Sequence, residues 1–200
     1  MIRPTVIVLA KAPRMGRVKT RLARGIGPAQ ALRFYRATLA RTLRVLGRDP
    51  RWDRVLAVAP DRALAGWPRG WRPVPQGGGD LGLRMLRQLA NAHGPAVLIG
   101  GDIPGVTPAA IARAFRELRR HAVVFGPAED GGYWLIGTRH PPRDLHALSA
   151  VRWSTEHALA DSIKALGLAP GFTDRLRDVD DAAAMALLAV PPETSKVKAT

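Results

Sequence analysis

A basic loop follows the first apolar run of the sequence, and its residues are of the types that bind phosphate. The run at 5–10 is rich in β-branched residues, and the loop continues from there to residue 27, with Gly16 allowing a close turn. Lysine and arginine neutralise polyphosphate through charge-assisted hydrogen bonds. No Gly-Lys-Thr tripeptide is present, so this is not a Walker loop. The pattern favours a phosphate-binding loop over a merely solvated basic one. Its cations are Lys11, Arg14, Arg17, Lys19 and Arg21.

An aspartate follows the buried strand predicted at 96–100. Asp102 is succeeded by Pro104, which stiffens the turn, and Gly105, which leaves room for a ligand. A buried carboxylate requires a partner, and Mg²⁺ prefers one or two carboxylates together with phosphate oxygens. The alternative is a cap for the next helix, for which Thr107 is better placed. Asp102 is therefore a predicted ligand of Mg²⁺ or Mn²⁺.

A glycine-rich turn at 76–82 contains the spacing Gly-x-Gly-x-x-Gly and precedes a predicted helix. With Asp102 following about twenty residues later, it imitates the dinucleotide-binding fingerprint. The preceding segment at 71–75, however, contains Pro73 and Pro75, which predict a short edge strand and exclude a central one. A complete strand and helix also come before it. A nicotinamide site remains an alternative. The pattern favours a turn that contacts a base or ribose, or one that only shapes the chain.

Two further acidic clusters offer carboxylates. Residues 129–132 join two predicted strands, where Asp-Gly is a common hairpin pair, although the acids could also meet an acceptor substrate. Asp178 and Asp180 lie on the same side of an extended segment and could complete a metal site with Asp102. The alternative for Asp180 is capping of the predicted terminal helix at 181–189.

The segments around these loops alternate between strand and helix patterns. The predicted strands are 5–10, 54–59, 71–75, 96–100, 122–126, 133–137 and 168–172, and the predicted helices are 28–46, 81–92, 108–120, 154–166 and 181–189. Such alternation predicts an α/β fold with three layers, in which helices cover both faces of a mostly parallel sheet. Ligands of these sheets bind beyond the carboxyl ends of the strands. We expect one domain at 1–190 and a disordered tail at 191–200.

Composition excludes several classes of protein. The chain has no cysteine, which rules out disulfides and thiolate metal sites. Its net charge of +15 comes from arginines scattered over nearly all predicted helices, and no nucleic-acid motif accompanies them, so we expect no specific nucleic-acid partner. No signal peptide and no stretch of about 20 apolar residues is present, so we expect a cytoplasmic protein without a membrane span. The histidines and serines show no ligand spacing and no nucleophile elbow.

Six segments, taken in order, resemble a family of bacterial glycosyltransferase-A-like proteins often described as transferase 1, radical-SAM/selenodomain-associated. The segments are 10–22, 76–85, 101–105, 126–133, 153–155 and 178–180. That family is similar to the guanylyltransferases of molybdenum cofactor and phospholactate, and to nucleotide-sugar glycosyltransferases. The resemblance implies a Rossmann-like nucleotide-diphospho-sugar transferase fold of the GT-A type.

The resemblance also implies roles for individual residues. Lys19 and Arg14 would lie nearest the phosphates, Asp102 and Asp180 would hold the metal, and Asp130 would face the acceptor, with Lys19, Asp102 and Asp130 as the catalytic set. The wider nucleotide- and phosphate-binding set is Lys11, Arg14, Gly16, Lys19, Arg21, Gln76, Gly77, Asp80 and Arg84, and the acceptor set is Gly131, Gly132, Tyr133 and Trp153. Relatives usually carry an acid four residues after Asp180, where this chain has Ala184.

Together these features predict a metal-dependent glycosyl- or nucleotidyltransferase that uses Mg²⁺ or Mn²⁺. Its substrate would be a nucleoside triphosphate or a nucleotide-sugar, and its acceptor is not indicated. Three alternatives remain: a nicotinamide oxidoreductase, a basic nucleic-acid binder and a non-catalytic nucleotide-binding module.

Overall fold

A seven-stranded sheet forms the middle layer of the protein, which a computed structural model describes over residues 2–177 and at residue 185. Its strands are β1 (Thr5–Lys11), β2 (Asp53–Ala59), β3 (Arg72–Pro75), β4 (Ala96–Gly100), β5 (Val123–Pro127), β6 (Tyr133–Thr138) and β7 (Gly171–Phe172). They lie in the order β3-β2-β1-β4-β6-β5-β7. β6 is antiparallel to β4 and β5, whereas the other neighbouring pairs are parallel. The predicted mostly parallel sheet is confirmed.

Helices cover both faces of this sheet. The helices are α1 (Thr20–Ile26), α2 (Pro28–Gly47), α3 (Leu81–Ala90), α4 (Pro108–Glu117) and α5 (Ala158–Leu166). In β1, Val6 and Val8 pack into a core with α2 and α4, while Ile7 packs into a second core with α3 and α5. This alternation follows from the two-residue period of a strand. The predicted three-layer α/β/α architecture is confirmed.

The structure corrects some predicted boundaries. The prediction of a loop to residue 27 was wrong at α1, which lies inside it. Leu22 is the buried residue of α1, so the helix is too short and too polar to show an apolar period. The helix predicted at 154–166 starts later, at Ala158, after a turn in which Ser154 has a left-handed backbone with φ 62°. The prediction of β3 as an edge strand is confirmed by its place in the sheet.

The chain beyond Arg177 is described at one position. Met185 is helical and packs against Leu22 and Ala31. The predicted helix at 181–189 otherwise lies outside the described residues, as does the predicted tail at 191–200. No helix within the described part of the chain is long and apolar enough to cross a membrane.

Candidate functional site

Lys19 and Asp102 come from the segments that follow two adjacent strands, and their charged groups meet. The Lys19 ammonium lies 3.0 Å from Asp102 Oδ2. The side chain of Lys19 is 2% exposed and that of Asp102 is 34% exposed. Because β1 and β4 are parallel neighbours, the pair lies beyond their carboxyl ends, where such sheets bind ligands. The structure therefore brings together the two residues on which the predicted site depends.

The backbone on each side of the pair explains why the two groups meet. Val18 is 4% exposed and packs into the core, which places Lys19 in the cleft at the first turn of α1. Lys19 has a left-handed backbone, with φ 45° and ψ 49°, which is uncommon for a residue other than glycine. On the other side, a Cβ at Gly101 would lie 2.9 Å from Leu39 Cδ1. Glycine at 101 therefore allows the turn before Asp102 to pack closely.

Tyr35 of α2 fixes the end of β1 from which the basic loop departs. Its hydroxyl accepts a hydrogen bond from the Lys11 amide and donates one to the Lys11 carbonyl, both at 2.8 Å. Burial, and then the charge of Asp102, raise the pKa of this phenol. The hydroxyl therefore stays protonated. The apolar periodicity of the helix predicted at 28–46 includes Tyr35 but does not reveal this polar contact.

A cleft of about 420 Å³ contains the ion pair. Among the lining residues that the structure describes, the cations Lys11, Lys19 and Arg84 accompany one carboxylate, Asp102. This excess of positive charge favours an anionic ligand. Tyr133 and Gln76, both predicted site residues, also line the cleft. Ser154 also lines the cleft; it belongs to the segment 153–155 that carries the family resemblance, but it was not among the predicted site residues.

A larger groove of about 1010 Å³ runs along β3 and α3. Of the predicted site residues, Gly77 is the one that lines this groove. Its charged lining includes Arg54, Arg72, Arg87 and Asp53, and within the described part of the chain Asp53 pairs with Arg3 at 3.5 Å, with both side chains more than half exposed. The chemistry that the sequence predicts therefore belongs to the smaller cleft.

Gln76 ties the glycine-rich turn to the centre of the sheet. It is 3% exposed, and its Nε2 donates to the carbonyls of Ala10 at 2.9 Å and Ala57 at 3.0 Å. Its Oε1 accepts a longer bond, 3.4 Å, from Arg84 Nη1. Gln76 thus holds the ends of β1 and β2 and orients Arg84 at the cleft.

The rest of this turn is engaged by the chain itself. Arg87 Nη1 donates to the carbonyls of Gln76 at 3.0 Å and Gly78 at 2.9 Å, and the Gly77 amide donates to Asp61 at 3.1 Å. The Asp80 carboxylate caps α3 by accepting from the Leu83 amide at 2.8 Å.

The contacts of the glycine-rich turn argue against the alternative of a nicotinamide dinucleotide site. The turn follows the edge strand β3 and not the central β1, and a Cβ at Gly77 would lie 2.4 Å from Arg87 Nη1. The space that a pyrophosphate would need beside Gly77 is therefore filled by a guanidinium, which argues against a nicotinamide site.

The acidic turn between β5 and β6 packs against the start of α5. Gly131 has φ 83°, and a Cβ there would lie 2.2 Å from the Glu156 carbonyl. Asp130 Oδ1 accepts from the Gly132 amide at 3.0 Å, and Glu129 pairs with Arg177 at 2.6 Å. These contacts shape the turn, and residues 130–132 lie outside the cleft lining.

Tyr133 extends the cleft wall from this turn. Its ring makes edge contacts with Phe125 at 4.9 Å and with Trp153 at 6.3 Å between centroids. Its hydroxyl lies 3.2 Å from Ser162 Oγ, and burial raises its pKa. Of the predicted acceptor set, Tyr133 is the member that reaches the cleft, with Trp153 behind it.

The remaining predicted phosphate ligands lie on the exposed part of the basic loop. Arg14 and Arg21 are exposed, and Gly16 turns the loop with φ 71°. The Arg14 amide donates to the Ala12 carbonyl at 2.8 Å, which closes a short turn. None of these three residues is part of the cleft lining among the described residues.

The oxygen donors of the cleft suit a cation that completes its coordination with phosphate. Within the described ranges there is no group of three or more His, Cys, Asp or Glu residues that could hold a metal. Asp102 offers one partly exposed carboxylate, which matches the preference of Mg²⁺ for one or two carboxylates plus phosphate oxygens. Asp178, Asp180 and Ala184 lie outside the described residues, so the second predicted ligand stays a prediction.

Comparison with known proteins identifies relatives by sequence and by fold. Residues 42–155 match the family DUF2064, described as an uncharacterized protein conserved in bacteria. No curated protein matches the sequence. A provisionally assigned nucleotide-diphospho-sugar transferase from Desulfovibrio desulfuricans G20 has a similar structure, with a TM-score of 0.82 and 26% identity. The match covers 98% of this chain and 90% of that one.

Two more distant structures share the fold. The 4-diphosphocytidyl-2C-methyl-D-erythritol synthase of Anaerococcus prevotii DSM 20548 has a TM-score of 0.60 at 12% identity, over 94% of this chain and 97% of that one. The manganese complex of Rv0371c from Mycobacterium tuberculosis H37Rv has a TM-score of 0.53 at 19% identity, with the same two coverages. The fold of the chain is thus that of nucleotide-diphospho-sugar transferases.

Proposed function

Because the chain belongs to the bacterial family DUF2064 and has the fold of nucleotide-diphospho-sugar transferases, we propose that it is a metal-dependent transferase. Its substrate is a nucleoside triphosphate or a nucleotide-sugar bound in the Lys19–Asp102 cleft. The observation that carries the proposal is the 3.0 Å contact between a buried ammonium and a partly exposed carboxylate at the carboxyl edge of the sheet. The cytidylyl-transfer product named for one structural neighbour and the manganese bound by another support the same reading.

The cleft offers separate groups for the two parts of such a substrate. Lys19, Lys11 and Arg84 are the cations that can bind phosphate oxygens. Asp102 would hold the divalent cation, with Asp180 as its proposed second ligand. Bound there, Mg²⁺ or Mn²⁺ would neutralise charge on the phosphates.

Either form of transfer needs the same assistance from the protein. In nucleotidyl transfer, an oxygen of the acceptor attacks the α-phosphorus, the bond from that phosphorus to the bridging oxygen breaks, and pyrophosphate leaves. In glycosyl transfer, an acceptor oxygen attacks the anomeric carbon and the nucleoside diphosphate leaves with the bonding electrons. Negative charge accumulates on the leaving group in both cases, where Lys19 stabilises it. Arg14 would assist from the basic loop, and no nucleophile from the protein is required.

The acceptor would enter beside Tyr133, which lines the cleft. Asp130 and the neighbouring glycines are proposed to approach it, with Trp153 supporting the Tyr133 ring. A hydroxyl acceptor would lose a proton during transfer, and Asp130, which lies outside the cleft lining, is proposed to take it; a phosphate acceptor would need no base.

A thermal-shift screen tests the proposal. Nucleoside triphosphates and nucleotide-sugars are each added with Mn²⁺, with Mg²⁺ and with neither. We expect one class to raise the melting temperature in a manner that requires the metal, and the shift should grow with ligand concentration over Kd. The metal-dependent part should vanish in Asp102→Asn. An absence of stabilisation by every compound would count against the proposal.

The products then distinguish the two reactions. Pyrophosphate release from the preferred triphosphate identifies nucleotidyl transfer, and nucleoside diphosphate release from the preferred sugar nucleotide identifies glycosyl transfer.

A further inference from the structure

Ser154 shares an uncommon backbone conformation with Lys19. Among the described residues other than glycine, a positive φ occurs at Ser154 and at Lys19, with values of 62° and 45°. Both residues line the cleft of about 420 Å³. A left-handed backbone is unfavourable for a residue with a Cβ, and residues held in such conformations cluster at functional sites. The conformation therefore makes Ser154 a candidate functional residue.

Contacts on both sides of Ser154 hold this turn in place. The Arg152 guanidinium donates to both carboxylate oxygens of Asp161, at 2.8 and 2.9 Å, and the Arg152 amide donates to the same carboxylate at 3.1 Å. On the other side, Thr155 Oγ1 donates to the Arg152 carbonyl at 2.8 Å. Because the flanking residues are fixed, Ser154 is held at the cleft in its unfavourable conformation.

The hydroxyl of Ser154 differs from the other uncharged polar side chains that line the cleft. The hydroxyls of Tyr35 and Tyr133 and the amide of Gln76 are hydrogen-bonded within the chain. Ser154 is exposed, and its hydroxyl makes no hydrogen bond with another described residue. A serine hydroxyl can both donate and accept a hydrogen bond. Within the described residues, it is thus the uncharged side chain of the cleft that can bind a ligand without giving up a bond.

The surroundings of Ser154 favour an uncharged part of the substrate. Trp153, the preceding residue, packs into the core beneath α3 and α5, as do the cleft residues Tyr133 and Met85. An apolar and aromatic wall with one hydroxyl is typical of sites where a few polar groups orient a ligand. The phosphates of a nucleotide would instead lie with the cations of the cleft. The group beside Ser154 is therefore expected to carry hydroxyls and no charge.

We propose that the Ser154 hydroxyl binds a hydroxyl of the sugar in a nucleotide-sugar. This inference rests on the proposed function and narrows its substrate to the nucleotide-sugars. The diphosphate lies with the cations and Asp102, and the sugar attached to it extends along Tyr133 to Ser154. A hydrogen bond between two neutral groups changes affinity by about three- to tenfold. Ser154 therefore contributes to the affinity for the sugar and not to the affinity for the nucleoside diphosphate.

The test compares a nucleotide-sugar with its own nucleoside diphosphate. UDP-glucose and UDP, GDP-mannose and GDP, and ADP-glucose and ADP are titrated into the full chain with Mn²⁺, and isothermal titration measures Kd. For the pair that binds, Ser154→Gly should lower the affinity for the nucleotide-sugar about three- to tenfold. It should leave the affinity for the diphosphate within about twofold, because the diphosphate has no group that reaches Ser154.

Glycine is the informative replacement because it removes the hydroxyl and favours the left-handed backbone. Ser154→Gly should therefore be at least as stable to urea as the unmodified chain, whereas a loss of stability would indicate a structural role and contradict the inference. Ser149→Ala is the matched control, since Ser149 is an exposed serine of the preceding loop and lies outside the cleft lining. It should change neither affinity by more than about twofold.

The contact can also be verified from the side of the ligand. Analogues of the bound nucleotide-sugar that each lack one sugar hydroxyl are titrated into both chains. For one analogue, Ser154→Gly should cause no further loss, because the variant and the analogue remove the two halves of the same hydrogen bond. Full additivity for every analogue would contradict a direct contact.

The outcomes separate this inference from the proposed function. If Ser154→Gly changes the affinity for the nucleotide-sugar and for its diphosphate equally, the inference is wrong. Metal-dependent binding that is lost in Asp102→Asn would then leave the proposed function intact. If a triphosphate binds with metal and no nucleotide-sugar does, the inference is wrong and nucleotidyl transfer remains. If no nucleotide binds with metal, both ideas fail.

Discussion

Two turns at the same edge of the sheet look alike in sequence but differ in what their polar groups do. The basic loop after β1 delivers Lys19 to Asp102 inside a cleft that Lys11 and Arg84 also line. The polar groups of the glycine-rich turn after β3 are already hydrogen-bonded within the chain. Arg87 donates to two of its carbonyls, Asp61 accepts from the Gly77 amide, and Asp80 caps the next helix. In the basic loop, a ligand can pair with the charged groups. In the glycine-rich turn, a ligand would first have to break existing hydrogen bonds.

The difference shows what a glycine pattern by itself indicates. The spacing Gly-x-Gly-x-x-Gly permits a close turn, but binding also needs amides that point into open space. Here Gly77 has φ 79° and Arg87 fills the space beside it. The glycines serve the shape of the turn, and two residues of the turn, Gln76 and Leu81, line the cleft together with Arg84.

We expect the largest effect on nucleotide binding when a carboxylate is neutralised at the cleft and not at the glycine-rich turn. Asp102→Asn should weaken metal-dependent nucleotide binding at least about 100-fold, because loss of even an outer-shell partner of a metal costs about 10- to 100-fold. Asp61→Asn removes the same charge beside the glycine-rich turn and keeps its hydrogen bond, so binding should change little. Isothermal titration with the nucleotide found by the screen, in Mn²⁺, measures both. Equal losses of nucleotide affinity in the two variants would contradict the difference between the two turns.

The next effect tests whether the second turn is structural. Gln76→Met keeps the length of the side chain but removes the donors to the Ala10 and Ala57 carbonyls. We expect the free energy of unfolding to fall by about 2 kcal/mol, since a buried acceptor left without a partner costs about 1–3 kcal/mol. Gln30→Met on the exposed face of α2 is the control and should change it by less than about 0.5 kcal/mol. Urea denaturation decides between them, and matching values would contradict a buttressing role for Gln76.

A smaller effect compares the space around the two glycines. Alanine at Gly16, where φ is 71° and nothing lies within 4 Å of the new Cβ, should cost about 1 kcal/mol for the left-handed backbone. Alanine at Gly77 carries the same backbone cost and also displaces Arg87, which lies 2.4 Å from the new Cβ. We therefore expect a loss of about 2 kcal/mol there. Urea unfolding of both variants gives the difference, and a larger loss at Gly16 would reverse our view of the two turns.

The smallest effect concerns the phenols that flank the cleft. The sequence has two tyrosines, Tyr35 and Tyr133, and burial raises the pKa of both above the ordinary value of 10.0. The unfolded chain loses these protons first, so the stability they provide is complete below pH 10 and declines as the pH rises further. Phenolate absorbance should therefore appear only as the protein unfolds, and Tyr35→Phe should make stability less sensitive to alkaline pH. Titration of either tyrosine near pH 10 in the folded protein would disprove this.

Most of the fold could be predicted because the pattern of the core is local. The β-branched run of β1 and the helical repeat of α2 show their burial in short windows of sequence. β3 was placed at an edge because prolines cannot donate to a ladder. The helix α1 escaped prediction because a single buried residue, Leu22, has no period.

The candidate site could be predicted in part. Lys19 and Asp102 each follow a buried strand, and adjacent parallel strands bring such residues together. No sequence signal indicates the hydrogen bonds of Tyr35 to Lys11 or those of Gln76 to two strand carbonyls, and the segment 153–155 did not indicate that Ser154 would line the cleft. Each joins segments that are distant in the chain, so only packing can reveal it.

The sequence by itself determined the layers of the protein, the edge position of β3 and the choice of a basic loop and an aspartate as the chemical centre. Those features depend on the order and types of neighbouring residues. Tertiary structure alone decided that Lys19 pairs with Asp102 and that the glycine-rich turn is closed by Arg87. Both depend on distances between residues far apart in the chain. A charge or an amide can bind a ligand only if the folded protein has not already paired it with another group, and that pairing is decided by tertiary structure.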